Sequence, residues 1–307
     1  MYSYSYQTGN ILFEGVDNMK KNQLIKMMSI AGMSLLSLGM LTGCGTQTNN
    51  AVASAEETVA PTEETADTAN VEETQDDTAE TTASDEVIIM GTNAEFEPFE
   101  YRENGTDIVG FDVEIAQKIA DKLGKELKIE DMAFDSLILA LNSDKIDFIA
   151  AGMTATDERK TQVDFSDAYF KSKQAIIVKA DNTTIQTADD LQGKNVGVQL
   201  GTTGDLFVSS TEGIASVVQV PTGTQAVMDL KNGKIDAVVI DEEPAKKMTE
   251  GQSDLKLLEA PFIEEEYAIA IKKGNAELLE AINATLTEMK NDGTYDEIYA
   301  KYFGETK

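Results

Sequence analysis

From Val87 onward, short runs of apolar and β-branched residues alternate with longer segments whose apolar residues recur every three to four positions. The short runs predict β-strands and the longer segments predict amphipathic α-helices. Gly124, Gly233 and Gly293 follow three of these helices, where C-terminal caps belong. The predicted strands are Val87–Gly91, Glu126–Ile129, Asp147–Ala151, Ala175–Lys179, Val196–Leu200, Val217–Val220, Ala237–Asp241 and Tyr267–Ile271. The predicted helices are Val113–Leu123, Ser136–Asn142, Gln225–Asn232 and Ala276–Asn291.

This alternation predicts an α/β fold with largely parallel sheets. One unit occurs twice, as LALNSDKIDFIAAGM over residues 139–153 and as VMDLKNGKIDAVVID over residues 227–241. Both copies have a helix, a polar turn, Lys-Ile-Asp and a buried strand. The repeat is compatible with two similar lobes, although any helix–turn–strand unit has this outline. Because open α/β sheets bind ligands beyond the carboxyl ends of their strands, each lobe is expected to place a binding loop there.

The segment before Val87 lacks this alternation. From Met19, three lysines precede an apolar run that ends in LTGC at residues 41–44, and this order resembles a bacterial lipoprotein signal peptide over residues 19–43. The resemblance implies that Cys44 is lipidated and anchors the protein on the outer face of the cytoplasmic membrane, the extracellular or periplasmic side. The alternative is a free cysteine buried on a short helix.

Two further segments flank this leader. We hypothesise that residues 1–18 are a mis-called start, because Glu14-Gly15-Val16 can be encoded by a ribosome-binding sequence upstream of Met19. Between Gly45 and Glu86 the chain is rich in Thr, Ala, Glu and Asp and contains no Lys, Arg or aromatic residue. Such a segment buries too little apolar surface to fold, so residues 44–86 are predicted to be the lipidated cysteine and a disordered acidic linker.

Charge and composition narrow the class of function. The 307 residues include 55 acidic and 25 basic side chains, which give a formal net charge of −30. An excess of negative charge argues against a nucleic-acid partner. The chain contains no histidine, the commonest general base and metal ligand, so neither a catalytic residue nor a metal or cofactor is expected. Its single cysteine excludes a disulfide within the chain.

The segment AAGMTATDERK, residues 150–160, carries an unexpected cation. Arg159 lies in the first turn of a predicted helix, where a capping box would have Glu or Gln. Gly152 allows close approach of the backbone, Thr154 offers a hydroxyl, and the guanidinium of Arg159 offers paired donors suited to a carboxylate. The alternative is a surface arginine that pairs with Asp157 or Asp164.

Other polar and aromatic residues have similar pairs of interpretations. Phe96 and Phe99 flank a proline and are typical of core residues as well as of a binding loop. Asp112 is predicted to cap its helix. VGVQLGTTGD at residues 196–205 reads as a strand, a glycine turn and a helix start, whose amides and threonine hydroxyls can hold an anion. Asp241 ends a buried strand and is either a ligand contact or the cap of the next helix.

Together, the ordered motifs GTNAEFEPFEY, GFDVEIAQKIA, MTATDERK, VDFSDAY, VGVQLGTTG and AVVIDEEPA resemble the family 3 solute-binding proteins of amino-acid ABC importers, over residues 87–304. The resemblance implies a two-lobed periplasmic-binding-protein-like α/β fold of type II, with two hinge crossovers. The implied lobe 1 is 87–178 plus 269–307 and lobe 2 is 179–268, with hinges near 178–180 and 266–267.

The resemblance also implies a set of ligand contacts. Arg159 matches the arginine that grips the α-carboxylate of the ligand, and Asp241 matches the acid that pairs with its α-ammonium. The remaining matches are Gly152 and Thr154 for both of these groups, Thr203 with Thr202 beside it for the carboxylate, and Phe96 and Phe134 as walls around the side chain.

Specificity is expected to depend on other positions of the pocket. Asn93 stands where many relatives carry Asp, and Gln199 stands where a side-chain contact is expected. Two amides favour a neutral polar ligand, whereas Glu95 or Glu100 would favour a cationic one such as arginine or lysine. The only cation implied in the pocket is Arg159, which disfavours aspartate and glutamate as ligands.

The function that the resemblance implies is capture of a polar amino acid outside the cytoplasm and its delivery to an ABC permease by a monomer. Two alternatives remain open: a dehydratase on the same fold, and the sensor subunit of a separate signalling partner. Turnover of a cyclic acid would favour the enzyme, and neighbouring genes for a permease and an ATPase would favour transport.

Overall fold

A computed structural model describes residues 86–258 and 262–304. The predicted signal peptide, Cys44 and the acidic linker before Glu86 lie outside the described residues. Within the described ranges, no helix is both long and apolar enough to cross a bilayer.

Most of the predicted strands and helices are present, and several short ones were not predicted. The strands are β1 Val87–Thr92, β2 Glu95–Phe96, β3 Glu100–Glu103, β4 Asp107–Val109, β5 Glu126–Asp131, β6 Phe148–Ile149, β7 Val163–Phe165, β8 Phe170–Lys179, β9 Asn195–Gln199, β10 Ser216–Val220, β11 Ala237–Asp241, β12 Leu255–Leu257, β13 Phe262–Tyr267 and β14 Ala270–Lys272. The helices are α1 Phe111–Leu123, α2 Leu137–Asn142, α3 Asp157–Lys160, α4 Thr203–Ser210, α5 Gly223–Lys231, α6 Glu242–Thr249, α7 Ala276–Asp292 and α8 Thr294–Phe303.

Two mixed sheets form the framework. The first has the order β5-β1-β6-β14-β7, in which β5, β1 and β6 are parallel and β14 is antiparallel to both of its neighbours. The second has the order β10-β9-β11-β8-β12, with β13 also paired to β8, and its parallel part is β10, β9 and β11. A small antiparallel sheet of β2, β3 and β4 was not predicted.

The chain passes between the two sheets twice, after β7 and after β13. The predicted strand Tyr267–Ile271 is therefore wrong as a single element, because β13 ends at Tyr267 in the second sheet and β14 begins at Ala270 in the first. All of β8 belongs to the second sheet, so we propose that the first crossing lies between Phe165 and Phe170 rather than near residue 178. The boundaries of the lobes stay a prediction.

An aromatic cluster holds the two crossings together. Phe170 and Tyr267 are register partners at the ends of β8 and β13. The fully buried ring of Phe99 lies 4.8 Å from the Phe170 ring and 5.1 Å from the Tyr267 ring, both edge-on. Edge-on pairs at this distance add to the free energy gained by burial. Phe99 is therefore a core residue at the junction of the two lobes.

The repeated Lys-Ile-Asp unit makes the same contacts in both sheets. In the first, the carboxylate of Asp147 accepts a hydrogen bond from the N–H of Ile89 at 2.7 Å, and Ile146 packs so closely over Gly91 that a Cβ there would lie 2.2 Å from its side chain. In the second, the carboxylate of Asp236 accepts from the N–H of Asn195 at 2.8 Å, and Ile235 covers Gly197 in the same way.

Candidate ligand-binding site

A cavity lies between the two sheets, beyond the carboxyl ends of their parallel strands. β1 leads into Asn93, β6 leads into Gly152, β9 ends at Gln199 and β11 ends at Asp241. Every residue predicted to contact the ligand lines this cavity, together with Glu100 and Ala151. The full lining is Asn93, Phe96, Glu100, Phe134, Ala151, Gly152, Thr154, Arg159, Gln199, Thr202, Thr203 and Asp241.

Arg159 is held at the cavity by the short helix α3. Thr156 caps this helix and accepts a hydrogen bond from the backbone N–H of Arg159 at 3.2 Å. The guanidinium donates to the carbonyl of Thr154 at 2.8 Å and, across the cavity, to the carbonyl of Gly201 at 3.0 Å. It also lies 5.3 Å from the centre of the Phe134 ring, a cation–π distance.

The charge of Arg159 has no ion-pair partner among the described residues. The side chain is only 6% exposed, and no carboxylate lies within 4.0 Å of it. The alternative of a surface pair is wrong, because Asp157 lies near Lys160 and Asp164 accepts from the N–H of Gly274. Burial lowers the pKa of Arg159 from its usual value, although a guanidinium stays protonated in proteins. A buried, unpaired cation suits an anionic ligand group.

Asp241 faces the cavity from the opposite sheet. Its side chain makes no capping hydrogen bond to α6, so the interpretation as a helix cap is wrong. Instead, its Oδ1 accepts from the hydroxyl of Tyr267 at 2.6 Å and from that of Ser172 at 3.3 Å. Burial, followed by the nearby carboxylate of Glu265, raises the pKa of Asp241 to about 7. A carboxyl in this state is ready to become an anion when a cation arrives.

Glu265 is a site residue that the sequence analysis did not identify. It lies on β13 with an exposed fraction of 6%, and its Oε2 accepts from the hydroxyl of Thr154 at 2.9 Å and from the Gln174 amide at 3.2 Å. The signal was present in the alternation of the strand, because Glu264 and Glu266 are exposed while Glu265 shares the buried face with Tyr267.

Asp112 does not cap its helix, contrary to the prediction. α1 begins after Gly110 with no side-chain cap. The Oδ2 atom of Asp112 instead accepts from the N–H of Gly152 at 2.8 Å and from the hydroxyl of Tyr169 at 2.6 Å. Gly152 is one of the predicted ligand contacts, and its backbone N–H already donates a hydrogen bond to Asp112.

The two amide side chains bridge the cavity. The Gln199 amide donates to Oδ1 of Asn93 at 2.8 Å, and the Asn93 amide donates to the carbonyl of Met132 at 2.9 Å. Of the two glutamates predicted to favour a cationic ligand, Glu95 is exposed and is not part of the lining, whereas Glu100 is buried and lines the cavity.

The threonines form the other rim of the cavity at the start of α4. Thr202 caps this helix, since its hydroxyl oxygen accepts from the N–H of Asp205 at 3.2 Å while its proton goes to the carbonyl of Gln199 at 2.8 Å. Thr203, the first residue of the helix, accepts from the Gln174 amide at 3.3 Å. A helix N-terminus at this point favours negative charge in the cavity.

Two α/β lobes with a polar cavity between them, and charges of opposite sign on the two sides, are the arrangement expected of a protein that binds a small ligand carrying both charges. The model of the bacterial extracellular solute-binding proteins, family 3, matches residues 88–305, and the chain belongs to that family. This confirms the resemblance and the type II two-lobed fold expected from it.

Known relatives agree with this assignment. The chain is 38% identical to the arginine-binding extracellular protein ArtP of Bacillus subtilis, over 70% of this chain and 86% of the relative. It is 33% identical to the ABC transporter glutamine-binding protein GlnH of Bacillus subtilis, over 91% of this chain and 98% of the relative. The structure of an ancestral arginine-binding protein bound to glutamine is 46% identical and covers 72% of this chain and 99% of its own, with a TM-score of 0.70. The family and these relatives are binding proteins.

Proposed function

We propose that this protein binds a free polar amino acid in the cavity between its lobes, outside the cytoplasm, and delivers it to the permease of an ABC importer. The observation that carries the proposal is the pairing of a buried cation, Arg159, with a buried acid, Asp241, on opposite sides of one cavity. Their charges complement the two ends of an amino-acid zwitterion.

The roles of the ligand contacts follow from this complementarity. Arg159 receives the α-carboxylate, which supplies the ion pair that its guanidinium lacks within the described residues. Thr203 and the start of α4 support the same carboxylate. Asp241 receives the α-ammonium, and Glu265 lies close enough to strengthen the local negative potential. Because the two charges belong to different sheets, a bound zwitterion favours the closed arrangement of the lobes.

The side chain of the ligand occupies the rest of the cavity. Phe96 and Phe134 supply apolar walls, and Asn93 and Gln199 supply amides that can exchange their mutual hydrogen bond for bonds to a polar ligand group. The names of the relatives support ligands of this kind, since ArtP is named for arginine and GlnH for glutamine.

We further propose that the protein works as a monomer held on the outer face of the cytoplasmic membrane by lipid on Cys44. The order of charged, apolar and LTGC segments in residues 19–44 supports this anchor. Mass spectrometry of the membrane-extracted protein should show an acylated N-terminal cysteine. The Cys44→Ser variant should lose the acyl mass, and an unmodified cysteine in the wild type would disprove the anchor.

A ligand screen tests the central proposal. Thermal unfolding of the purified protein is measured with each common amino acid, because a ligand that binds only the folded state raises the unfolding temperature. A polar amino acid should raise it, whereas its N-acetyl and carboxamide derivatives should not, since each lacks one charge of the zwitterion. No shift with any amino acid, or equal shifts with the blocked derivatives, would overturn the proposed function.

A further inference from the structure

Two buried acids lie side by side at the cavity, and one of them belongs to its lining. Glu100, at the start of β3, is 1% exposed and lines the cavity, while Asp112, in the first turn of α1, has no exposed surface. The two carboxyl groups are neighbours, and each has one buried oxygen, Glu100 Oε2 and Asp112 Oδ1, without a hydrogen-bond partner in the described part of the chain. Two neighbouring carboxyl groups can share a hydrogen bond only when one of them carries a proton.

The hydrogen bonds of Asp112 indicate which of the two carboxyl groups is protonated. Asp112 Oδ2 accepts from the N–H of Gly152 and the hydroxyl of Tyr169, which stabilises Asp112 as the ionised partner. In contrast, no donor among the described residues reaches Glu100 Oε2 or Asp112 Oδ1, although both atoms are buried. A proton on Glu100 that points at Asp112 accounts for the pair.

No positive charge replaces that proton. No Lys or Arg in the described part of the chain forms an ion pair with Glu100 or Asp112, and no group of acids there is arranged to hold a metal ion. The charged groups that face Glu100 are all acids, namely Asp112 on α1, Asp241 on β11 and Asp131 on β5. Burial, with these acids, raises the pKa of Glu100 well above its usual value, and burial raises that of Asp112 to about 6.

The cavity therefore contains two carboxyl groups, those of Asp241 and Glu100, which interact with different parts of the ligand. Among its lining residues only Asp241 and Glu100 carry a carboxyl group. On the proposed function, Asp241 takes the α-ammonium that every amino acid carries. A ligand with a second positive charge, on its side chain, has Glu100 as its remaining carboxyl partner in the lining.

We propose that Glu100 determines how the site responds to the side-chain charge of its ligand, through exchange of its proton. A neutral side chain leaves the Glu100–Asp112 pair protonated. With a guanidinium or ammonium side chain, the O–H bond of Glu100 breaks, its proton passes to solvent, and the carboxylate accepts hydrogen bonds from the ligand cation. Charge is conserved, because one proton leaves for each cation that enters. This inference rests on the proposed function and deepens it.

The exchange makes the two ligand classes differ in their pH dependence. Release of one proton raises an association constant tenfold for each pH unit while Glu100 is protonated in the free protein. Because Asp241 also titrates near neutral pH, both ligands can release a proton there. The contribution of Glu100 is therefore the number of protons released on binding arginine minus the number released on binding glutamine. The contribution of Asp241 is common to both ligands and cancels in this difference.

The test is calorimetric titration of the full-length protein with arginine and with glutamine, in buffers with different ionisation enthalpies, which yields the number of protons released. Wild type should release about one proton more with arginine than with glutamine. In Glu100→Gln, whose amide can still donate to Asp112, this excess should vanish. Arginine affinity should fall at least about tenfold at alkaline pH, with glutamine affinity within about threefold of wild type. Glu95→Gln, on the same hairpin but exposed, should match wild type.

Each other result overturns the inference. Equal proton release with both ligands would show that Glu100 does not respond to side-chain charge. A wild-type protein that binds glutamine but not arginine would show the same. Equal loss of both ligands in Glu100→Gln would make Glu100 a packing residue. Binding of other amino acids but of neither arginine nor glutamine would overturn this inference alone. Failure to bind any amino acid in the thermal screen would refute the proposed function as well, which distinguishes the two failures.

A second measurement needs no variant to fold. In infrared difference spectra of the wild type, arginine should cause a larger loss of the protonated-carboxyl C=O band than glutamine does. Both ligands can ionise Asp241, whereas only arginine also ionises Glu100. Equal losses with arginine and with glutamine would refute the exchange.

Discussion

Replacing Asp241 by asparagine should change stability and ligand affinity in opposite directions. Asparagine has the same shape, and its oxygen can still accept from the hydroxyls of Tyr267 and Ser172. Its amide can donate to the nearby carboxylate of Glu265. Asp241→Asn therefore imitates the protonated form of the acid and removes only its ability to ionise.

The size of the stability change follows from the pKa. Burial raises the pKa of Asp241 from 3.8 to about 7. A carboxyl whose folded pKa is raised stabilises the folded state fully below its unfolded pKa, and this contribution is lost as the pH rises from about 4 to about 7. The difference corresponds to at most about 4 kcal/mol. At about pH 8 the variant should therefore unfold with a higher free energy than wild type, while at about pH 3 the two should agree.

Affinity should change the other way. Removing one partner of a buried charge pair costs roughly 2–5 kcal/mol, which raises the dissociation constant for an amino acid about 30-fold to several thousand-fold. Urea unfolding of the ligand-free protein at both pH values gives the stability, and calorimetry gives the affinity. Asp189→Asn, at an exposed site, should change neither quantity.

Two results would refute this reasoning. If Asp241→Asn lowers the free energy of unfolding by the same amount at both pH values, the acid is a structural anchor and its charge is not a burden in the folded state. If the variant binds amino acids as tightly as wild type, Asp241 does not receive the α-ammonium.

Two further substitutions test the site and its support. Arg159→Ala should weaken amino-acid binding by roughly 2–5 kcal/mol in calorimetry, because the ligand carboxylate loses its buried partner. Lys160→Ala, at an exposed neighbouring position, should leave the affinity unchanged. Unchanged affinity in Arg159→Ala would contradict the assignment of Arg159 to the carboxylate. Gly110→Ala should lower the free energy of unfolding by about 3 kcal/mol or more in urea, because a Cβ there would lie 2.0 Å from the carbonyl oxygen of Phe99. Gly105→Ala, which meets no atom within 4 Å, should cost about 1–2 kcal/mol, and equal costs would contradict the steric explanation.

The sequence predicted the apolar part of the fold well. β1, β9 and β11 are buried strands of apolar and β-branched residues, and their predicted limits lie within about one residue of the observed ones. Gly124 and Gly293 adopt the left-handed conformation at the ends of α1 and α7, as expected from glycines after periodic segments.

The strands that the pattern missed carry the site's polar residues. β8 starts at Phe170 rather than at the predicted Ala175, because Ser172 and Gln174 occupy its buried face and interrupt the apolar alternation. β13 was missed for the same reason, since the polar Glu265 shares its buried face with Tyr267. Polar residues buried at a binding site break the pattern from which strands are predicted.

The ligand contacts were predicted by resemblance to a family, and the residues alone left each of them ambiguous. Arg159 fitted a surface ion pair and Asp241 fitted a helix cap until the positions of their neighbours were known. The pair of Glu100 and Asp112 had no local signal, because the two residues meet only when β3 packs beside α1.

The duplicated Lys-Ile-Asp unit gives the molecule an internal control. One copy fixes β6, which leads into Gly152, and the other fixes β11, which ends at Asp241, so each copy supports the loop that carries one half of the cavity. The copies share no residues and lie in different sheets. Trimming Ile146 or Ile235 by one methyl group would thus introduce the same lesion into one lobe or the other, and comparison of the two would measure how far the lobes fold as a single cooperative unit.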